Sequence, residues 1–240
     1  MNRSATLLCA IILLASPLAA GDDMAGALER MQQSKEEATK AAYFVLANAG
    51  RAPAANLFIA SAILLGRDHT EDAAFLFFAA QMRRRLDVTH FPPSAAGGDS
   101  PDILLGALSQ QIGAGVNPAI MRQPRQLTAV LDRIAAWIPA TPKSYDPGWK
   151  YAKRGADAAA QKAFEASRKD FLDHFRPLST LLNRPDYFAA FKTVQDYNFS
   201  TFEEMKKPAR IAAKEKAEQT MLDIETRLGI EGLYFKRARN

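Results

Sequence analysis

Apolar residues recur along most of this chain at three- and four-residue intervals, and strict alternation is scarce, so the pattern predicts an all-α protein. Leu28, Met31, Ala38, Ala42, Val45 and Leu46 mark one face of a helix expected over Met24 to Ala49. Glu29, Lys35, Glu36 and Glu37 lie opposite, and Gly50 and Pro53 close it. Helices over Ala54 to Leu65 and Glu71 to Asp87 flank Gly66-Arg67-Asp68-His69-Thr70. Gly66 stands where a left-handed residue ends a helix, and Thr70 where a side chain caps the next. Phe75, Ala79, Met82 and Leu86 form a stripe that Ala74, Phe77 and Phe78 widen, which makes this hairpin the expected centre of the core.

His90 to Pro101, rich in Pro, Gly and Ser, reads as a loop, His90 included. A helix over Asp102 to Ile112 is expected to stop at Gly113-Ala114-Gly115. Another over Gln123 to Ile138 carries Leu127, Val130, Leu131, Ile134 and Trp137. Pro139 to Gly148, with three prolines, is the most plausible internal boundary. Helical segments follow at Ala158 to Phe175, Asp186 to Gln195 and Pro208 to Leu228, the last ended by Gly229. The expected architecture is a compact multi-helix bundle of packed hairpins rather than a regular solenoid. Its regions are 22–138, a Pro/Gly/aromatic connection over 139–157, and 158–240, sharing one core.

The apolar run Ala5 to Ala15, preceded by Arg3 and followed by Ala19-Ala20-Gly21, has the three parts of a secretory signal peptide over residues 1–21. A run of roughly 11 residues is short of the ~20 that span a bilayer. Cys9 is the only cysteine and lies within this run, so a cleaved chain forms no internal disulfide and no thiolate metal site. A periplasmic or secreted location is expected.

Charge changes the picture in one respect. The net is +5, but Asp22 to Ile138 holds 11 Lys/Arg against 12 Asp/Glu, whereas Pro139 onward holds 19 against 14. This excess is too dilute for a nucleic-acid binder, and peripheral membrane contact through the basic C-terminal half is one expectation from it.

Leu64-Leu65-Gly66 followed by Glu71-Asp72-Ala73-Ala74-Phe75-Leu76-Phe77-Phe78-Ala79-Ala80-Gln81 resembles a tetratricopeptide or Sel1-type hairpin over 54–87, in which small Ala residues let helices approach. The chain holds one such unit, where an array needs about three. A looser resemblance runs through Asp132-Arg133-Ile134-Ala135-Ala136-Trp137 and Tyr145-Asp146-Pro147-Gly148-Trp149 to uncharacterised exported bacterial helical proteins. It implies an envelope location and no particular activity.

Arg83, Arg84 and Arg85 form the densest charge cluster. They either grip a carboxylate or phosphate of a partner or complement the last turn of their helix. Tyr145, Trp149 and Tyr151 surround an Asp-Pro-Gly turn, and either receive a glycan or peptide or pin the loop to the core. Asp170 and His174 share a helical face without a third ligand, and no P-loop, Gly-x-Ser-x-Gly or His-Glu-x-x-His motif occurs. No metal or other cofactor is expected. The leading expectation is a non-enzymatic exported protein that binds another protein, as an envelope adaptor or an immunity-type inhibitor. The alternative, an envelope hydrolase or lyase, requires a cleft with at least two carboxyl groups of raised proton affinity.

Overall fold

The computed structural model describes residues 24–94, 100–151 and 153–230. The segment Met1 to Gly21, expected to be a signal peptide, and the basic run Lys236 to Arg239 lie outside the described residues. Within them the protein is all-α and has no β-strand. Its helices are α1 (Met24–Arg30), α2 (Lys35–Ala47), α3 (Ala54–Leu65), α4 (Thr70–His90), α5 (Pro101–Met121), α6 (Pro124–Ala136), α7 (Asp157–Leu182), α8 (Pro185–Asn198), α9 (Phe202–Met205) and α10 (Pro208–Arg227).

The α3/α4 hairpin is the centre of the packing. α4 touches α3, α5, α6 and α7, and every residue from Ala73 to Ala80 is buried. The reason lies in the composition of that stretch. Alanines let neighbouring helices close in, while Phe77 meets Phe58 edge-on at 5.9 Å and Phe78 packs against Phe171 and Phe175 of α7. Each fully buried Phe contributes roughly 1.5–3 kcal/mol. Ser61 Oγ donates to the Ala73 carbonyl at 2.7 Å, satisfying a buried polar group across the hairpin. One cluster of buried apolar side chains runs from Ala27 in α1 to Ile224 in α10.

Several boundaries differ from the sequence expectation for identifiable reasons. The first expected helix is two, because Ser34 caps α2 by accepting from the Glu37 N–H at 3.3 Å. The left-handed residue of the α3/α4 turn is Asp68 (φ 63°), whereas Gly66 is right-handed; His69 precedes the helix, and Thr70 is its first residue rather than its side-chain cap. His90 belongs to the last turn of α4, not to the loop.

Gly113 and Gly115 do not stop α5. An added Cβ at Gly113 would lie 2.7 Å from Phe77 Cζ, so this glycine is the contact that lets α5 close on α4. α5 also continues through Pro118. α7 likewise passes Pro177 and ends at Leu182 instead of Phe175, because burying Leu178, Leu181 and Leu182 outweighs the ~3 kcal/mol that an interior proline costs. α6 ends earlier than expected, at Ala136, where Trp137 turns extended.

Candidate functional site

Between α6 and α7 the described residues of 137–156 form no helix and lie over the C-terminal end of α4. Prolines at 139, 142 and 147 withhold N–H groups from any helix. The turn at Asp146-Pro147-Gly148 is set by Asp146 Oδ1 accepting the Gly148 N–H at 2.8 Å, with Gly148 at φ 89°.

Tyr145 points inward from this crossover and is buried. Its hydroxyl accepts from Arg83 Nε at 2.9 Å and donates to Asp87 Oδ2 at 2.5 Å. Arg83 is wholly buried; its Nη1 donates to the Gly50 carbonyl at 3.3 Å and its Nη2 to that of Ala140 at 2.9 Å. The guanidinium also lies 4.0 Å from the Tyr145 ring centroid. Asp87 Oδ1 sits 3.0 Å from Arg83 Nε, which has given its hydrogen to Tyr145, so this oxygen gains charge attraction but no hydrogen bond of its own. Burial pushes the Asp87 carboxyl up to about 6 against the opposing pull of Arg83. The Tyr145 hydroxyl is raised well above its usual range by burial and then by the neighbouring Asp87 charge.

A second group of contacts fixes the rest of the crossover. Trp149 Nε1 donates to the Phe91 carbonyl at 2.8 Å, Tyr151 meets the Phe91 ring edge-on at 4.9 Å, and the Ser94 N–H bonds the Lys150 carbonyl. Gly155 donates to the His90 carbonyl at 2.6 Å, and an added Cβ there would come within 3.0 Å of the Thr89 carbonyl oxygen. Arg154 reaches the Thr141 carbonyl, Asp157 and His90 Nε2. His90 Nε2 also lies 2.7 Å from Asp157 Oδ1, while its buried Nδ1 has no partner among the described residues. One ring nitrogen cannot both accept from Arg154 and donate to Asp157. Burial and then the Arg154 charge hold the imidazole below its usual range, and the hydrogen bond from Arg154 does the same for the Asp157 carboxyl.

The six residues singled out from the sequence therefore separate. Arg83 and Tyr145 are interior groups that fasten the crossover; of the two readings open for Tyr145, the geometry is that of a side chain pinning the loop to the core. Arg84 is half-buried and paired with Asp102 of α5 at 2.8 Å; Arg85 is exposed, 3.4 Å from Ser167 Oγ of α7. Trp149 is half-buried under its hydrogen bond, and Tyr151 is exposed. Asp87, His90, Arg154 and Asp157 were absent from that set, although the Arg83-to-Asp87 spacing of one helical turn signals a pair. The crossover also exposes Ile138, at 74% the most open large apolar side chain among the described residues.

A shallow cleft of about 360 Å³ beside the crossover is lined by Leu86, His90, Pro139, Thr141, Asp157 and Gln161 among others. Its single carboxylate, Asp157, is held low rather than high. A groove between α6 and α7 likewise contributes one, Asp132. Asp87, the acid raised by its surroundings, is buried and lines neither, so neither of these two clefts holds the paired carboxyls that the hydrolase reading requires. No group of three His, Cys, Asp or Glu side chains there is arranged to hold a metal ion, Asp170 and His174 included. No family model matches this chain, and neither curated proteins nor solved structures yield a match.

Proposed function

We propose that this chain is an exported helical protein that works by binding a partner protein and performs no catalysis, in the role of an envelope adaptor or an immunity-type inhibitor. The observation that carries the reading is the fastened crossover. A connection of roughly 20 residues is well beyond the ~12–15 at which irregular loops become uncommon and are usually functional. Here it is held by a buried Arg83–Tyr145–Asp87 network, and fixing an irregular segment in advance removes the ordering cost of presenting it to a partner. The segment displays Tyr151 and Ile138 outward, and an aromatic anchor on a rigid support suits the centre of an interface.

Photo-crosslinking in an envelope extract tests this. A crosslinker placed at Lys150 is expected to trap a discrete partner in the unaltered protein, and the Tyr151→Ala, Ile138→Ser double variant is expected to lose at least about tenfold of that yield while keeping its helical circular dichroism. Equal yield from both proteins, or no discrete product, overturns the reading.

A further inference from the structure

The corner joining α8, α9 and α10 is a separate surface with a different composition. Phe199 follows the last turn of α8 and Phe202 opens α9, and their side chains are 64% and 68% exposed. Two uncovered phenylalanines within one short turn are more than the scattered single apolar residues normal to a surface. The start of α10 extends the uncovered region: its buried residues begin only at Ala217, leaving Ala209, Ile211, Ala212 and Ala213 exposed. Among the described residues no helix is long and apolar enough to cross a membrane.

One cation meets a ring directly, and others follow it along the chain. Lys206 Nζ lies 3.9 Å from the Phe202 ring centroid, Lys207 and Arg210 share Glu204, Lys214 pairs with Glu218, and Lys216 is exposed on α10. Between Phe199 and Lys216 five Lys/Arg stand against three Glu, a net of +2 within the basic half of the chain. Lys206 and Lys207 pair with Glu203 and Glu204 on the exposed surface, so they exchange readily for an external anion, whereas Arg210, which also donates to the Asp196 carbonyl, and Lys214 are half-buried. Alanine and lysine are depleted from protein–protein interfaces, whereas phenylalanine tips rimmed by lysine match the boundary between acyl chains and anionic headgroups.

We propose that this corner docks on an anionic bilayer surface, with Phe199 and Phe202 entering the headgroup boundary and Lys206, Lys207, Arg210 and Lys216 meeting lipid phosphates. The surface is distinct from the crossover and does not depend on the partner assigned to it.

Vesicle flotation of the full chain tests the proposal. Binding is expected to vesicles containing about 30% phosphatidylglycerol, to weaken at least about tenfold between about 50 mM and 500 mM NaCl, and to be weak on purely zwitterionic vesicles. The exposed-site variants Phe199→Ser/Phe202→Ser and Lys206→Glu/Lys207→Glu are each expected to reduce binding at least about tenfold with unchanged circular dichroism. Any contribution of the N-terminal apolar run is common to all these proteins and cancels. Equal binding by unaltered and variant chains, salt-insensitive binding, or no binding overturns the proposal. Loss of a protein crosslink in the Phe variant without vesicle binding overturns it in favour of a protein partner, and the Tyr151 variant separates that outcome from failure at the crossover.

Discussion

Arg83 is the largest fully buried side chain in the described residues, and each of its three nitrogens is hydrogen-bonded. Burying its partner Asp87 without full hydrogen bonding leaves a pH signature. The Asp87 carboxyl is held at about 6 in the folded chain, above the 3.8 of the unfolded one. The folded state therefore binds the extra proton between those values, and the stability this contributes is complete below pH 3.8 and lost as pH rises through 6. His90 acts in the opposite sense: held neutral by burial, it contributes stability above 6.5 that falls away on acidification. Comparing the unaltered chain with Asp87→Asn cancels the His90 contribution. In urea titrations at about pH 7 and about pH 4.5, the unaltered chain is expected to gain on the order of 2 kcal/mol relative to the variant at the lower pH. A difference that is flat with pH, or of opposite sign, contradicts the assignment of that titration to Asp87.

At the scale of helices, the sequence pattern located the hairpin at the centre and most of the periodic segments, because apolar spacing reports which face is buried whatever covers it. Their ends were less legible. Gly113 and Pro177 look like stops when each residue is weighed for itself, yet a glycine under Phe77 and a proline followed by three buried leucines belong to helix interiors once the neighbours are present. The site was partly legible in the same way: the Asp-Pro-Gly turn left open that Tyr145 pins the loop to the core, but its partner Arg83, 62 residues away, is found only when their hydrogen bond closes that separation. Gly113 gives this point a measurable form. On propensity, Gly113→Ala would stabilise α5 by about 1 kcal/mol. The 2.7 Å approach to a ring packed in the core makes overpacking, typically about 1–3 kcal/mol, the larger effect. A net loss of about 1 kcal/mol, visible as a lower midpoint in thermal circular dichroism, is expected. Gly113→Ala combined with Phe77→Leu should lose less than the sum of the two single changes, because leucine lacks the Cζ atom that obstructs the new methyl.

For the whole molecule, the proline-rich stretch admits two physical descriptions, a hinge between separate units or a strap belonging to one core. The chain carries its own probes for deciding, since its only two tryptophans, Trp137 and Trp149, both lie in the crossover. Trp137 meets the Phe164 ring of α7 edge-on at 5.8 Å, and Trp149 bonds the chain just beyond α4, so their fluorescence reports the strap while far-ultraviolet circular dichroism reports the helices. Buried side chains from α1 to α10 form one contiguous cluster; the strap joins it through Trp137, packed on α7, while Tyr145 bonds Arg83 and Asp87 of α4. Releasing the strap would leave the charges of Arg83 and Asp87 without their shared hydroxyl partner, a penalty large enough to couple its detachment to the loss of the core. Fluorescence and circular dichroism are accordingly expected to trace a single coincident urea transition. A fluorescence change completed at lower urea than the helical one would make the crossover a detachable hinge. It would also remove the rigidity on which the Tyr151 surface depends.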